Sequence, residues 1–278
     1  MNFNVAIMKK ESRCFFLPFL LVAFLVVSCR GAGEQSRRST DEPATLHIAA
    51  AANLSYVMPR LVEAFREEVS GYGMSDIRLT RASSGSLTAQ IRNSAPFDLF
   101  LAANTLYPQL LYNESLTVGP PLVYARGVPI MVYQSGIDGQ KGVECLTDAS
   151  VEKIAIAQPE LAPYGEAAVE ILSRAGVLQQ VESKFVYGTS VTQTFQHVIT
   201  AADAGFIAAS LLYGDGGREL EKAGLEWIGF PPEAYNPAVL RQAMVLLDSS
   251  NSTAAAFFRF MQGERAGEIL EKNGYRVE

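Results

Sequence analysis

From Leu46 onward, short apolar runs alternate with stretches of helical periodicity. That rhythm restricts the chain to repeated strand–helix units built around mainly parallel sheets. Leu46–Ala50 reads as a first strand, followed by a helix whose apolar face is Leu54, Val57, Met58, Leu61 and Phe65, with Asn53 at the expected N-cap. A second unit has a strand near Ile77–Thr80, the turn Ala82–Ser86 and a helix that buries Leu87 and Ile91, and Phe97–Ala102 is the next strand. No internal repeat of fixed period is present.

After the Gly/Pro-rich stretch 118–121, Val128–Tyr133 reads as a strand crossing into a second lobe, where the rhythm restarts. Lys153–Ala157, Lys184–Tyr187 and Gly205–Ala209 are its strands, and a helix from Tyr164 to Ala175 lies between the first two. Ser190 with Gln193 has the form of a capping box. Leu240–Leu247 returns to the first lobe, and helices over Ser252–Gln262 and Glu264–Lys272 close the chain, with Asn273-Gly274 as a left-handed C-cap. The expected fold class is therefore α/β, with a ligand cleft between lobes formed by 44–128 plus 240–278 and by 129–239.

The N-terminus is read apart from the fold. Lys9, Lys10 and Arg13 precede the apolar run Phe15–Val27, which is shorter than the roughly 20 residues of a membrane-spanning helix. Residues 1–28 read as a signal peptide. Val26-Val27-Ser28-Cys29 resembles a bacterial lipobox, with Cys29 as the lipidated residue of a membrane-anchored lipoprotein, and the polar segment 29–43 as a flexible tether. Cys14 leaves with the signal and Cys29 carries lipid, so Cys145 has no partner for an intramolecular disulfide. Removing Lys9, Lys10, Arg13 and Glu11 takes the formal net charge from −6 to −8. With 23 Lys and Arg among 278 residues and no long basic run, nothing offers a footprint for nucleic acid.

Four strand-to-helix turns share one design: Ala52-Asn53, Ser83-Ser84-Gly85-Ser86, Pro163-Tyr164-Gly165 and Thr189-Ser190-Val191. Two fall in each lobe. Ligands of open α/β sheets gather beyond the carboxyl ends of the strands, where such turns lie. The first turn of a helix presents unpaired N–H groups and a partial positive charge, so four converging turns form a cage for an anion. The turns contain neither Lys nor His, so capture rests on local dipoles, against a global field of the wrong sign. They contain no Asp or Glu either, which disfavours hydrogen phosphate, a ligand whose proton needs an acceptor. Molybdate, tungstate and sulfate need donors alone.

Other readings are weaker. A secreted hydrolase using Ser84 lacks the Gly-x-Ser-x-Gly elbow, and the two histidines, His47 and His197, fall within a strand and a helix. No His/Cys pair has zinc-ligand spacing, and no metal or cofactor is expected beyond an oxyanion held through its oxygens. Asp98, between Phe97 and Leu99, reads as a buried structural acid, and Trp227 with Phe230-Pro231-Pro232 as hinge packing.

The segments Ala49–Leu54, Ala82–Leu87 with Gln90-Ile91, and Ala95–Ala103 carry a resemblance to the periplasmic molybdate-binding proteins of ABC transporters. Gln158-Pro159-Glu160, Pro163-Tyr164-Gly165 and the Gly-Tyr-x-Val tail extend it to nearly the whole folded part. The resemblance implies a two-lobed, type II-like periplasmic-binding-protein fold and a monomer that hands molybdate or tungstate to a membrane permease without catalysis. It implies that Asn53 and Ser84 touch the anion from one lobe, and that Tyr164 and Val191 do so from the other, mainly through backbone N–H groups. Ala208 stands where the family has a ligand-reaching tyrosine, so that contact is lost here unless the Tyr164 hydroxyl replaces it. A sulfate or other small-anion binder of the same fold is the alternative.

Overall fold

The computed structural model describes residues 45–69 and 76–277. The segments read as signal peptide and tether, with Cys29, lie outside the described residues. In chain order the strands are β1 Leu46–Ala51, β2 Ile77–Ala82, β3 Leu99–Leu101, β4 Leu122–Arg126, β5 Pro129–Gln134, β6 Ile154–Ala157, β7 Phe185–Gly188, β8 Ala204–Ala208, β9 Leu225–Gly229 and β10 Arg241–Leu246. The α-helices are α1 Met58–Glu68, α2 Ser84–Arg92, α3 Leu106–Asn113, α4 Pro163–Arg174, α5 Leu178–Val181, α6 Val191–Thr200, α7 Asp215–Lys222, α8 Ser252–Phe260 and α9 Glu264–Glu271.

Two five-stranded sheets result, ordered β2-β1-β3-β10-β4 and β7-β6-β8-β5-β9. Each is mixed in the same way. In the first, β1 pairs in parallel with β2 and β3, whereas β10 runs antiparallel between β3 and β4. In the second, β6 pairs in parallel with β7 and β8, whereas β5 runs antiparallel between β8 and β9. The reversed strands are those that follow a crossing. Gly127-Val128 is the whole link from β4 to β5, and the return from β9 to β10 passes through short 3-10 turns at Pro232–Ala234 and Pro237–Leu240. Gly127 N–H donates to Leu240 O at 2.9 Å, fastening the two crossings together.

Both sheets are covered on their faces, which explains why β3, β6 and β8 are apolar throughout rather than alternating. The first core packs Phe65 edge-on against Phe257 and Phe260, with ring centroids 5.1 and 5.7 Å apart. The second stacks Phe206 on Phe230 at 5.8 Å. Cys145 is buried and free.

Three expectations need correction. Asn53 is not an N-cap: β1 runs straight into a 3-10 turn, Ala52–Leu54, and α1 starts only at Met58, where Pro59 occupies the first turn and needs no N–H acceptor. Asp98 is half-buried rather than buried; its carboxylate accepts from His47 N–H at 2.6 Å just before β3. Trp227 is 52% exposed, because β9 is an edge strand and the ring lies on the surface beside Leu212 and Tyr213, whereas Phe230 does pack as expected.

Candidate functional site

The strand ends of both sheets deliver the four turns to one cavity. It is small, with a volume of about 10 Å³, and is lined by Asn53, Ser83, Ser84 and Ala103 on one side and by Ala162, Tyr164 and Val191 on the other. No charged side chain lines it. The four residues singled out from the turns, Asn53, Ser84, Tyr164 and Val191, are thus brought together; Ala208 is not, being buried at the end of β8 opposite Pro129.

Local chemistry explains which groups are left over. In α2 the N-cap Ser83 accepts from Ser86 N–H at 3.4 Å and its carbonyl takes Leu87 N–H, leaving the first helical N–H, that of Ser84. In α6 the N-cap Ser190 takes Gln193 N–H at 3.3 Å and Thr194 N–H, leaving Val191, which lines the cavity, and Thr192. The Gln193 side chain reaches back to Thr189 N–H at 2.5 Å, one residue beyond the partner a capping box uses. In α4, Pro163 has no N–H, and Gly165 and Glu166 both donate to Ala162 O, leaving Tyr164. The N–H groups of Asn53, Ser84, Tyr164 and Val191 find no acceptor among the described residues. Ser84 adds a hydroxyl: its Oγ accepts from Ala103 N–H at 2.9 Å, so its own proton is free to donate.

The lobes meet around this cavity. Thr192 Oγ1 donates to Ala52 O at 2.9 Å, Gly85 N–H to Leu161 O at 2.9 Å, and Tyr107 OH to Glu160 O at 2.8 Å. Ser210 Oγ donates to Asn53 O at 2.9 Å. These contacts join the two lobes beside the cavity.

Behind Asn53 lies a buried polar layer that the sequence reading missed. Asn53 Nδ2 donates to Gln242 Oε1 at 3.0 Å and to Tyr275 OH at 3.1 Å. Tyr124 OH donates to Gln242 Oε1 at 2.8 Å, and Gln242 Nε2 to Tyr164 OH at 3.3 Å. One signal was available: Gln242 is an amide adjoining the apolar run Ala243–Leu246, and it is fully buried with that run. Burial pushes the phenols of Tyr124, Tyr164 and Tyr275 above their ordinary range, and neighbouring tyrosines add to this for the first two. All three therefore stay neutral at physiological pH. Neither His47 nor His197 lines the cavity, so Ser84 has no base beside it there.

Comparisons with known proteins follow this geometry. Residues 46–276 match the family described as bacterial extracellular solute-binding protein. The chain is 32% identical to the molybdate-binding protein ModA of Azotobacter vinelandii over 243 residues, which is 85% of this chain and 92% of that one. It is 25% identical over 272 residues to YvgL of Bacillus subtilis, whose name places it among ABC-transporter substrate-binding lipoproteins; the match covers 97% of this chain and 99% of that one. The solved structure of the Azotobacter vinelandii periplasmic molybdate-binding protein superposes with a TM-score of 0.72 at 27% identity, covering 84% of this chain and 99% of that one. With two like sheets joined by two crossings, and a match that spans both, this chain belongs to the bacterial extracellular solute-binding proteins.

Proposed function

We propose that this protein captures molybdate or tungstate outside the cytoplasm and delivers it to the membrane permease of an ABC transporter. The observation that carries the reading is the set of four backbone N–H groups, two from each lobe, left without acceptors around one uncharged cavity. A fully deprotonated tetrahedral oxyanion needs donors on every side and no acceptor. Asn53, Ser84, Tyr164 and Val191 supply them, and each hydrogen bond to a charged group contributes about 1.5–3 kcal/mol. The names of the relatives from Azotobacter vinelandii support the choice of anion.

Because the donors come from lobes 44–128 plus 240–278 and 129–239, the full set exists only when the lobes meet. Anion binding and closure are then one equilibrium, and the closed form is the surface the permease reads. The protein acts as a carrier, in keeping with its family. Cys29 carries lipid that holds the monomer at the membrane through the tether 29–43, a reading supported by the lipoprotein name of YvgL.

Calorimetric titration with molybdate, tungstate, sulfate and hydrogen phosphate tests the reading. One-to-one binding of molybdate and tungstate, with sulfate much weaker and phosphate the weakest of the four, is expected. Binding of none of the four would refute it, and a preference for sulfate would move the protein to another anion.

A further inference from the structure

Asn53 is 1% exposed, lines the cavity, and has one end of its amide unused: Nδ2 is held by Gln242 and Tyr275, but the buried Oδ1 has no partner among the described residues. In this orientation the group left for a ligand is an acceptor. That suits an anion carrying a proton and repels one that has none.

A primary amide has two ends of nearly the same shape, so the same atom positions allow a second pattern. Turning Asn53 end for end presents Nδ2 to the ligand, and its oxygen then faces Gln242, 3.0 Å away, and needs a donor. Turning Gln242 as well supplies it. Gln242 Nε2 would then donate to Asn53 Oδ1 and to Tyr124 OH, 2.8 Å away, while the Tyr124 proton goes wholly to Ala102 O at 3.0 Å. Gln242 Oε1 would accept from Tyr164 OH across the present 3.3 Å contact. Tyr275 OH loses the bond it accepts from Asn53 Nδ2 at 3.1 Å and shares its own proton between Asn53 O, at 2.8 Å, and the turned Oδ1. The second pattern pairs the orphaned Asn53 oxygen and frees one donor for the ligand. Gln242 itself is held in place, being fully buried beside Gly127, where even a Cβ would meet its Nε2 at 2.6 Å.

We propose that Gln242 is a positioning residue that selects the ligand's protonation state: with the anion bound, Gln242 and Asn53 are turned together, so that Asn53 donates to a tetrahedral oxyanion bearing no proton. The turned pair favours molybdate over hydrogen phosphate; the unturned pair does the reverse. This rests on the oxyanion reading of the cavity.

The test uses the full chain in detergent, titrated with molybdate and with hydrogen phosphate. Gln242→Glu, titrated at about pH 9 to ionise the buried carboxyl, offers Asn53 acceptors only and locks its Nδ2 inward; loss of one charge-assisted bond predicts a tenfold or greater drop in molybdate affinity. Gln242→Met removes both ends without adding charge, and a several-fold drop is expected. In both variants the ratio of molybdate to phosphate affinity should fall. Should both anions weaken by one common factor, Gln242 is merely structural and the proposal fails while the oxyanion reading stands. Failure of the unaltered protein to bind either anion would remove that reading and this one together. If the variants do not fold, the side-chain NH2 resonances of Asn53 in the unaltered protein decide: they should shift on molybdate binding, and unchanged resonances would overturn the proposal.

Discussion

At the scale of single residues, the site is defined by what the fold leaves unpaired. Ser84 is the clearest case, because accepting from Ala103 N–H fixes its hydroxyl proton as a donor toward the cavity. Ser84→Ala should weaken anion binding by about 1–3 kcal/mol, read by calorimetry. It should also lower the melting temperature without anion, since Ala103 N–H is left buried and unsatisfied. Acid–base behaviour is a second residue-scale property. Tyr124, Tyr164 and Tyr275 have raised pKa values when folded, so their contribution to stability is intact below the unfolded phenol value near about 10 and is lost as pH rises through and above it. As no titrating carboxylate, histidine or lysine lines the cavity, molybdate affinity should be flat from about pH 6 to 9 while the protein unfolds in stronger alkali, followed by fluorescence and circular dichroism. The layer behind Asn53 was not legible beforehand for a physical reason: its contacts with Gln242 and Tyr275 span 189 and 222 residues, and no local periodicity reports such a meeting.

At the scale of elements, legibility followed regularity. The faces of α1 and α2 were readable because Leu61, Phe65, Leu87 and Ile91 repeat at helical spacing, and all four are buried. The strand ends were readable because hydroxyl and small residues follow apolar runs. What misled was the first turn, where Asn53 has the chemistry of a cap but its side chain bonds inward to Gln242 and Tyr275 instead. The other three turns depend on how closely a helix start approaches its strand. Gly165 shows this: a Cβ there would collide with the carbonyl oxygen of Ala157 in β6. Gly165→Ala should force α4 away from β6, cost about 1–3 kcal/mol of stability by overpacking, and misplace the Tyr164 N–H. Thermal unfolding and anion titration of the same variant should therefore both report a loss; an unchanged affinity would separate Tyr164 from the site.

For the whole molecule, two crossings link the two sheets, and the cavity is lined from both. On the proposed function, binding energy drawn from both sides couples capture to closure, and molybdate at a hundredfold excess over its dissociation constant should stabilise the folded protein by about 2.7 kcal/mol. Anchoring belongs to this scale as well. Cys29→Ser should release the protein from membranes into the aqueous phase on detergent partitioning; retention in the detergent phase would refute the lipid anchor. The central claim, that four helix-start N–H groups from two lobes hold one oxyanion, is tested most directly by following the backbone amide resonances of Asn53, Ser84, Tyr164 and Val191 during a molybdate titration. All four should move together and saturate at one anion per chain. If molybdate binds while these amides stay where they were, the anion sits elsewhere and the cage is wrong.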